Sequence, residues 1–173
     1  VVHTQLEKRI NSPETSSMGR LFDAVSAFLG LCEEINYEGQ AAIELEIAAD
    51  KDEDGIYPFP FVNGKIELSP FWHLFLHDWR SGIPVSNLSA RFHNSISYLC
   101  FDMAKKLNQE TGCRTIALSG GVWQNRFLFQ RTVKLLEKAG FMVLFHQKIP
   151  TNDGGISLGQ AMIAAKYHQL SII

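Results

Sequence analysis

The chain has 173 residues, 46% of them hydrophobic and 20% charged, with a formal net charge of −2. That balance fits one soluble globular unit with a sizeable core, and gives no electrostatic reason to expect nucleic acid as a partner. No apolar run approaches the roughly 20 residues of a membrane span, so no membrane partner is expected either.

In chain order, residues 1–12 carry a helix-like pattern with Glu7, Lys8 and Arg9 and lack the apolar block of a signal peptide. No initiator Met opens the chain, so the expectation is a piece of a larger protein. Ser16 and Ser17 can cap a helix with apolar positions Leu21, Val25, Phe28 and Leu29, ending near Gly30. Cys32 follows in LGLC; with Cys100 and Cys113 it makes an odd count without a C-x-x-C pair, which argues against a disulfide framework or a zinc site. All three are expected as reduced core or near-core thiols in a cytoplasmic protein. A second helix fits 40–49, and the Asn63-Gly64 pair predicts a hairpin whose first strand is made irregular by Pro58 and Pro60. SPFWHLFLHDWRSG predicts a short helix, and 89–108 a long one with Phe92, Ile96, Leu99, Met103 and Leu107 on one stripe.

The last third is the most regular. Strand 115–118, helix 123–138 and strand 142–145 form a strand–helix–strand unit, which implies parallel pairing with a right-handed crossover, and a final helix covers 156–168. Gly120, Gly121 and Asp153 therefore fall at the carboxyl ends of neighbouring parallel strands, where open α/β sheets bind ligands. A paired glycine before a helix lets a phosphate approach the backbone; it is also what a tight turn needs. Asn125, read as lying one turn into the helix, offers an amide to a base or ribose, or faces solvent. Asp153 reads as a helix cap, a role Asn152 would fill equally, or as a ligand to a metal or a metal-bound phosphate.

Several motifs together carry a resemblance. SSMGRLFDAVSAFLGL, NYEGQAAIELE, FHNS, LSGGVWQNRFL and TNDGGISLGQA resemble, in that order and over nearly the whole chain, the carboxy-terminal part of the HypF family of carbamoyltransferases. The resemblance implies an α/β fold of the actin/Hsp70/sugar-kinase type, with a ribonuclease-H-like core. Residues 1–173 would then be the second, helix-rich half of a Kae1-like domain. It further implies a parent enzyme that uses carbamoyl phosphate and ATP to make carbamoyl adenylate. The carbamoyl group then passes to a carboxy-terminal cysteine of the partner HypE, where it becomes the cyanide ligand of [NiFe]-hydrogenases.

Carried over motif by motif, Asp23 falls at the ribose, Gly39 and Glu44 at a second ribose or base contact, Gly120 and Gly121 at the phosphates, and Asn125 at the adenine or ribose. Asp153 falls on a divalent metal, expected to be iron, besides the Mg that accompanies ATP; zinc belongs only to an upstream region. Where relatives have paired glycines after the tyrosine, this chain has Gly39 and Gln40. Arg20 reads as a catalytic clamp on a carbamoyl or phosphate oxygen, or as an i,i+3 partner of Asp23. His93 reads as a site residue or a satisfied structural one. The His73/His77 pair has metal-ligand spacing but sits in a segment that does not resemble the family's metal helix, and is read as fortuitous. Two alternatives stand beside this reading: a tRNA threonylcarbamoyl transferase, and a non-catalytic module that binds partners through Phe71, Trp72, Phe75 and Trp79. Apolar surface left uncovered by a half-domain implies self-association.

Overall fold

The structure is a computed structural model and describes residues 1–170. Helix α1 (Val2–Glu7) is a short, exposed turn and a half. Helix α2 (Met18–Phe28) starts at Ser17, whose hydroxyl accepts from the Arg20 N–H, and Gly30 closes it at φ 69°. Helix α3 (Gln40–Ala48) begins at Gly39, held at φ 80° where a side chain would be strained. The hairpin pairs β1 (Phe61–Val62) with β2 (Lys65–Ile66) through Asn63 and Gly64, both at positive φ, as a two-residue turn requires. Its strands are only two residues long, because the prolines at 58 and 60 remove ladder donors from what precedes them. Helix α4 (Ser69–Arg80) carries Pro70 in its first turn.

Helix α5 (Val85–Thr111) is the spine of the molecule and is longer at both ends than the apolar stripe predicted. Pro84 precedes it and Gly112, at φ 73°, stops it, so turn chemistry sets its limits. Strand β3 (Thr115–Leu118) and β4 (Met142–Phe145) pair in parallel, Thr115 opposite Met142 and Leu118 opposite Phe145. Helix α6 (Arg126–Lys138) makes the crossover, and α7 (Ile156–Leu170) ends the described chain.

Two cores result. Phe22, Val25, Leu45, Phe71, Phe75, Leu88, Phe92, Ile96 and Leu128 bring α2 to α6 together, with Phe71 in ring contact with Tyr57, Phe59, Trp72, Phe75 and Phe92. Ala104, Leu118, Leu136 and Phe141 form a smaller cluster under the crossover. The α4 aromatics are thus mainly core: Phe71 and Phe75 are fully buried, Trp72 half-buried, and Trp79 exposed. The outer face of the two-stranded sheet, with Met142 and Leu144, is uncovered, as are Ile156, Leu158, Met162 and Ile163 of α7. The stripe of α5 fades toward its end, since Leu107 is exposed. Cys32 is buried and Cys100 intermediate, but Cys113 is exposed, contrary to the expected core thiol: it sits in the connection between α5 and β3, with nothing packed over it.

The loop 50–60 is strapped to α4, α5 and α6 by polar contacts. Arg91 Nη1 lies 2.8 Å from Asp78 Oδ2 and Nη2 lies 3.2 Å from Glu53 Oε2. Asn87 donates to that same Oε2 at 2.7 Å, and Asn94 Nδ2 donates to the carbonyls of Glu53 and Gly55. The Asn87 bond, then the Gly55 N–H and Arg91, outweigh burial and pull the Glu53 carboxyl down to about 2. Gly55 is needed there, because a Cβ would come within 2.8 Å of Glu53 Oε1 and 2.9 Å of Arg91 Nε. Arg91→Met, which leaves two part-buried carboxylates without their cation, is expected to cost about 2 kcal/mol in urea denaturation at pH 7. Asn87→Ala removes one contact and is expected to cost less.

Candidate functional site

The ends of β3 and β4 are tied together by backbone. Gly120 N–H donates to the Thr151 carbonyl at 2.8 Å, and the Thr151 hydroxyl returns a bond to the Gly120 carbonyl at 3.2 Å. The glycine turn and the Asp153 loop therefore form one rim. Gly120 has φ 108°, a backbone requirement by itself. Gly121 is different: its φ is ordinary, and a Cβ would meet nothing closer than the Asn152 Cβ at 3.7 Å. Nothing in the fold needs a glycine there, and the surface it leaves bare is the approach to the turn.

The helix after the turn does not start where the apolar pattern placed it. Gly121–Gln124 is a 3₁₀ turn, and Asn125 is the cap of α6, not a residue one turn inside it. Asn125 Oδ1 accepts from Leu128 N–H at 2.8 Å, and its Nδ2 lies 2.9 Å from His93 Nε2. His93 is fully buried between α5 and α6, and its Nδ1 contacts the Ser89 carbonyl at 2.8 Å. A carbonyl only accepts, so Nδ1 carries the proton and Nε2 accepts from Asn125. Burial holds the imidazole neutral, with its pKa lowered to about 4; the Ser89 carbonyl opposes this and the charge of Arg131 adds to it.

Asp23 and Glu44 stand on α2 and α3, two helices that pack against each other. The Cys32 thiol is pushed up mainly by burial, and then by the charges of Glu44 and Asp23. Each is partly engaged: Arg20 Nη1 sits 3.2 Å from Asp23 Oδ2, the helical pairing rather than a free clamp. Gln40, its Oε1 held by Asn36 N–H, donates Nε2 to Glu44 Oε1 at 2.8 Å. Gly39 supplies the left-handed start of α3. Each carboxylate has a second oxygen outside these bonds.

Asp153 opens a 3₁₀ turn, Asp153–Gly155, whose cap is Asn152 accepting from Gly154 N–H. A Cβ on Gly155 would lie 2.7 Å from the Pro150 carbonyl, which fixes that glycine by packing. Among the described residues no three His, Cys, Asp or Glu side chains gather to hold a metal, and His73 and His77 are both exposed. Asp153 is one carboxylate of such a site at most, and the residues present do not fit a metal by themselves.

Sequence reasoning missed the contact of Ser119 Oγ with His146 Nε2, 3.1 Å, across the two strand ends, because no spacing links positions 27 apart. It also missed that the Glu46 carboxylate accepts from Phe127 N–H at 3.0 Å, at the amino end of α6. A cleft of about 760 Å³ lies there, between Glu46, Ile47 and Lys51 and Arg126, Phe127 and Arg131; none of the nominated residues lines it.

A helix-rich α/β unit with a glycine turn and an acidic loop at the ends of two parallel strands is the class the geometry defines. Residues 1–160 match the family described as "Carbamoyltransferase, Kae1-like Domain, second subdomain", and the chain belongs to that HypF carbamoyltransferase family. It is 35% identical over 161 residues to a probable carbamoyltransferase HypF of Methanocaldococcus jannaschii, covering 91% of this chain and 21% of the relative. It is 38% identical over 159 residues to the carbamoyltransferase HypF of Rhodobacter capsulatus, covering 91% and 21%. A crystal structure of full-length HypF in the phosphate- and nucleotide-bound form superposes with a TM-score of 0.88 at 39% identity, covering 95% of this chain and 22% of that one. The chain thus spans about a fifth of the length of these relatives. It is also 25% identical over 170 residues to a tRNA N6-adenosine threonylcarbamoyltransferase of Prochlorococcus marinus, 90% of this chain and 47% of that protein. No helix among the described residues is long and apolar enough to cross a membrane.

The buried neutral His93 makes stability fall in mild acid. The unfolded state takes up a proton near pH 6.5 and the folded state only near pH 4, so stability is full above pH 6.5 and is lost as pH falls toward 4. At pH 5 the loss attributable to this group is about 2 kcal/mol relative to pH 8. Urea midpoints across that range, compared with those of His93→Gln, should show the acid slope flatten in the variant.

Proposed function

We propose that this chain is the nucleotide-binding subdomain of a carbamoyltransferase that transfers a carbamoyl group from carbamoyl adenylate to a protein thiol. Gly121 carries the reading: it is a glycine that neither backbone conformation nor packing demands, at the turn where a phosphate would approach α6. The full-length HypF crystal structure, which is of the phosphate- and nucleotide-bound form, agrees with it. Asp23 and Glu44, each with an oxygen outside its present bonds, would accept from the vicinal hydroxyls of a ribose. Arg20 retains further donors beside Asp23 for a carbamoyl or phosphate oxygen, and Asn125 sits next to the turn.

The substrates are carbamoyl phosphate and ATP, and the acceptor is the carboxy-terminal cysteine of HypE. In the transfer step that thiolate attacks the carbamoyl carbon, the C–S bond forms, the C–O bond to phosphate breaks, and AMP leaves with the electron pair. No nucleophile comes from this chain; its part is binding and orientation. Asp153 offers one carboxylate to a divalent metal whose other ligands would lie elsewhere in the parent protein. The parent acts in hydrogenase maturation in the cytoplasm. The tRNA-modifying alternative rests on a weaker likeness, and a net charge of −2 does not favour a polyanionic substrate.

Calorimetric titration of ATP with Mg²⁺ tests the reading. Gly121→Ala is expected to change stability by less than about 1 kcal/mol while abolishing saturable binding, because the methyl covers the approach; Asp23→Asn is expected to weaken binding. Unchanged affinity in Gly121→Ala would refute the phosphate assignment. The uncovered apolar residues of β4 and α7 support self-association of the separate chain, expected as a concentration-dependent rise in mass by light scattering, with Met142→Glu and Met162→Glu together suppressing it.

A further inference from the structure

We propose that His93 is a positioning residue for nucleotide binding: its imidazole fixes which way the Asn125 amide faces, so that Asn125 meets the ligand as a hydrogen-bond donor. The proposal rests on the nucleotide reading above and deepens it.

The Asn125 amide is held by two contacts of opposite polarity. Leu128 N–H donates to Oδ1, and Nδ2 donates to His93 Nε2. Rotating the amide by half a turn would set oxygen against the imidazole lone pair and an NH₂ against an N–H, losing both bonds at once. The tautomer that makes Nε2 the acceptor is itself fixed by the Ser89 carbonyl one turn earlier on α5. Orientation is thus relayed from a backbone carbonyl, through a ring, to an amide.

Capping alone does not require this arrangement. A cap needs one side-chain oxygen, and Asp, Ser or Thr supply it as well as Asn does. Asn is distinguished by its NH₂, and one of those two hydrogens is engaged by His93. With Oδ1 turned to the helix, the second Nδ2 hydrogen is what the side chain has left to offer. It lies four residues after Gly121, at the start of the helix whose amino end faces the turn. A donor there matches an acceptor atom of a nucleotide, such as a ribose oxygen, a ring nitrogen or a phosphate oxygen, and disfavours a ligand that presents a donor. A buried imidazole kept neutral against its ordinary range is more than a cap requires, but it is an effective way to hold a donor in one direction.

Two substitutions separate the contacts. Gln reaches about as far as Nε2 and can present its oxygen to Asn125; Asn reaches only as far as Nδ1, keeping the Ser89 bond and losing Asn125. With the whole chain and ATP·Mg²⁺ as probe, His93→Gln is expected to bind close to wild type, and His93→Asn about tenfold more weakly. Asn125→Asp, which keeps the cap oxygen and cannot donate, is expected to fold and to lose binding as His93→Asn does or more. In wild type, a nitrogen–nitrogen coupling across the hydrogen bond between Asn125 Nδ2 and His93 Nε2 should be visible by NMR, and it should be absent in His93→Asn. The proposal is overturned if His93→Asn binds as wild type does, or if both His93 variants lose affinity only in proportion to lost thermal stability. Gly121-sensitive binding that ignores His93 would refute this inference and leave the nucleotide reading standing; absence of binding in wild type, with the coupling present, would refute both.

Discussion

Burying polar side chains on a long helix is costly unless they find partners, and helix α5 carries five of them between Ser89 and Ser97. Ser89 donates to the Leu45 carbonyl of α3, His93 meets Asn125, Asn94 takes the carbonyls of Glu53 and Gly55, the Ser95 hydroxyl accepts from Tyr57 N–H, and Ser97 reaches the Leu128 carbonyl. Each partner belongs to a different segment or a different turn. A leucine at any of these positions would pack as well and specify less; the hydrogen bonds set where α3, the 50–60 loop and α6 lie around the spine. The apolar core supplies cohesion and the polar stripe supplies address.

That stripe explains how much of the molecule was readable from sequence. Strands 115–118 and 142–145 were legible to the residue, because a short, mostly apolar run of four residues between Arg114 and Ser119, or of five between Gly140 and His146, has little freedom. The hairpin was legible in Asn63-Gly64, and the α2 cap in Ser17. The limits of α5 were not: residues 85–88 and 109–111 lie outside the apolar stripe, and Pro84 before the helix and Gly112 after it set its true ends. The start of α6 was misplaced for a related reason: Val122 and Trp123 are apolar, yet they belong to the 3₁₀ turn and pack on the main core, while the capping side chain is the buried amide behind them.

The candidate site was legible in its residue types and not in its bonding. Sequence puts Asp23 and Arg20 one turn apart, but only the structure decides for their pairing. It puts Gln40 directly after Gly39, and the structure shows that this amide reaches the Glu44 carboxylate. Long-range pairs such as Ser119 with His146, or Glu46 with the amino end of α6, leave no mark in spacing. Motifs find the groups; packing decides which of their lone pairs and protons stay open, and that remainder is what a ligand sees.

The two-stranded sheet has a geometric corollary. In a parallel pair each strand turns alternate backbone groups to its neighbour and points the rest outward, so β3 and β4 each offer an outer row of N–H and C=O groups. Anything that extends this sheet must therefore arrive edge-on beside Thr115–Leu118 or Met142–Phe145, in a register that those four-residue ladders already dictate. Growth from either side would also carry the new strand's end toward the Gly120–Thr151 tie. A larger sheet built on this seed inherits its orientation from these two short strands.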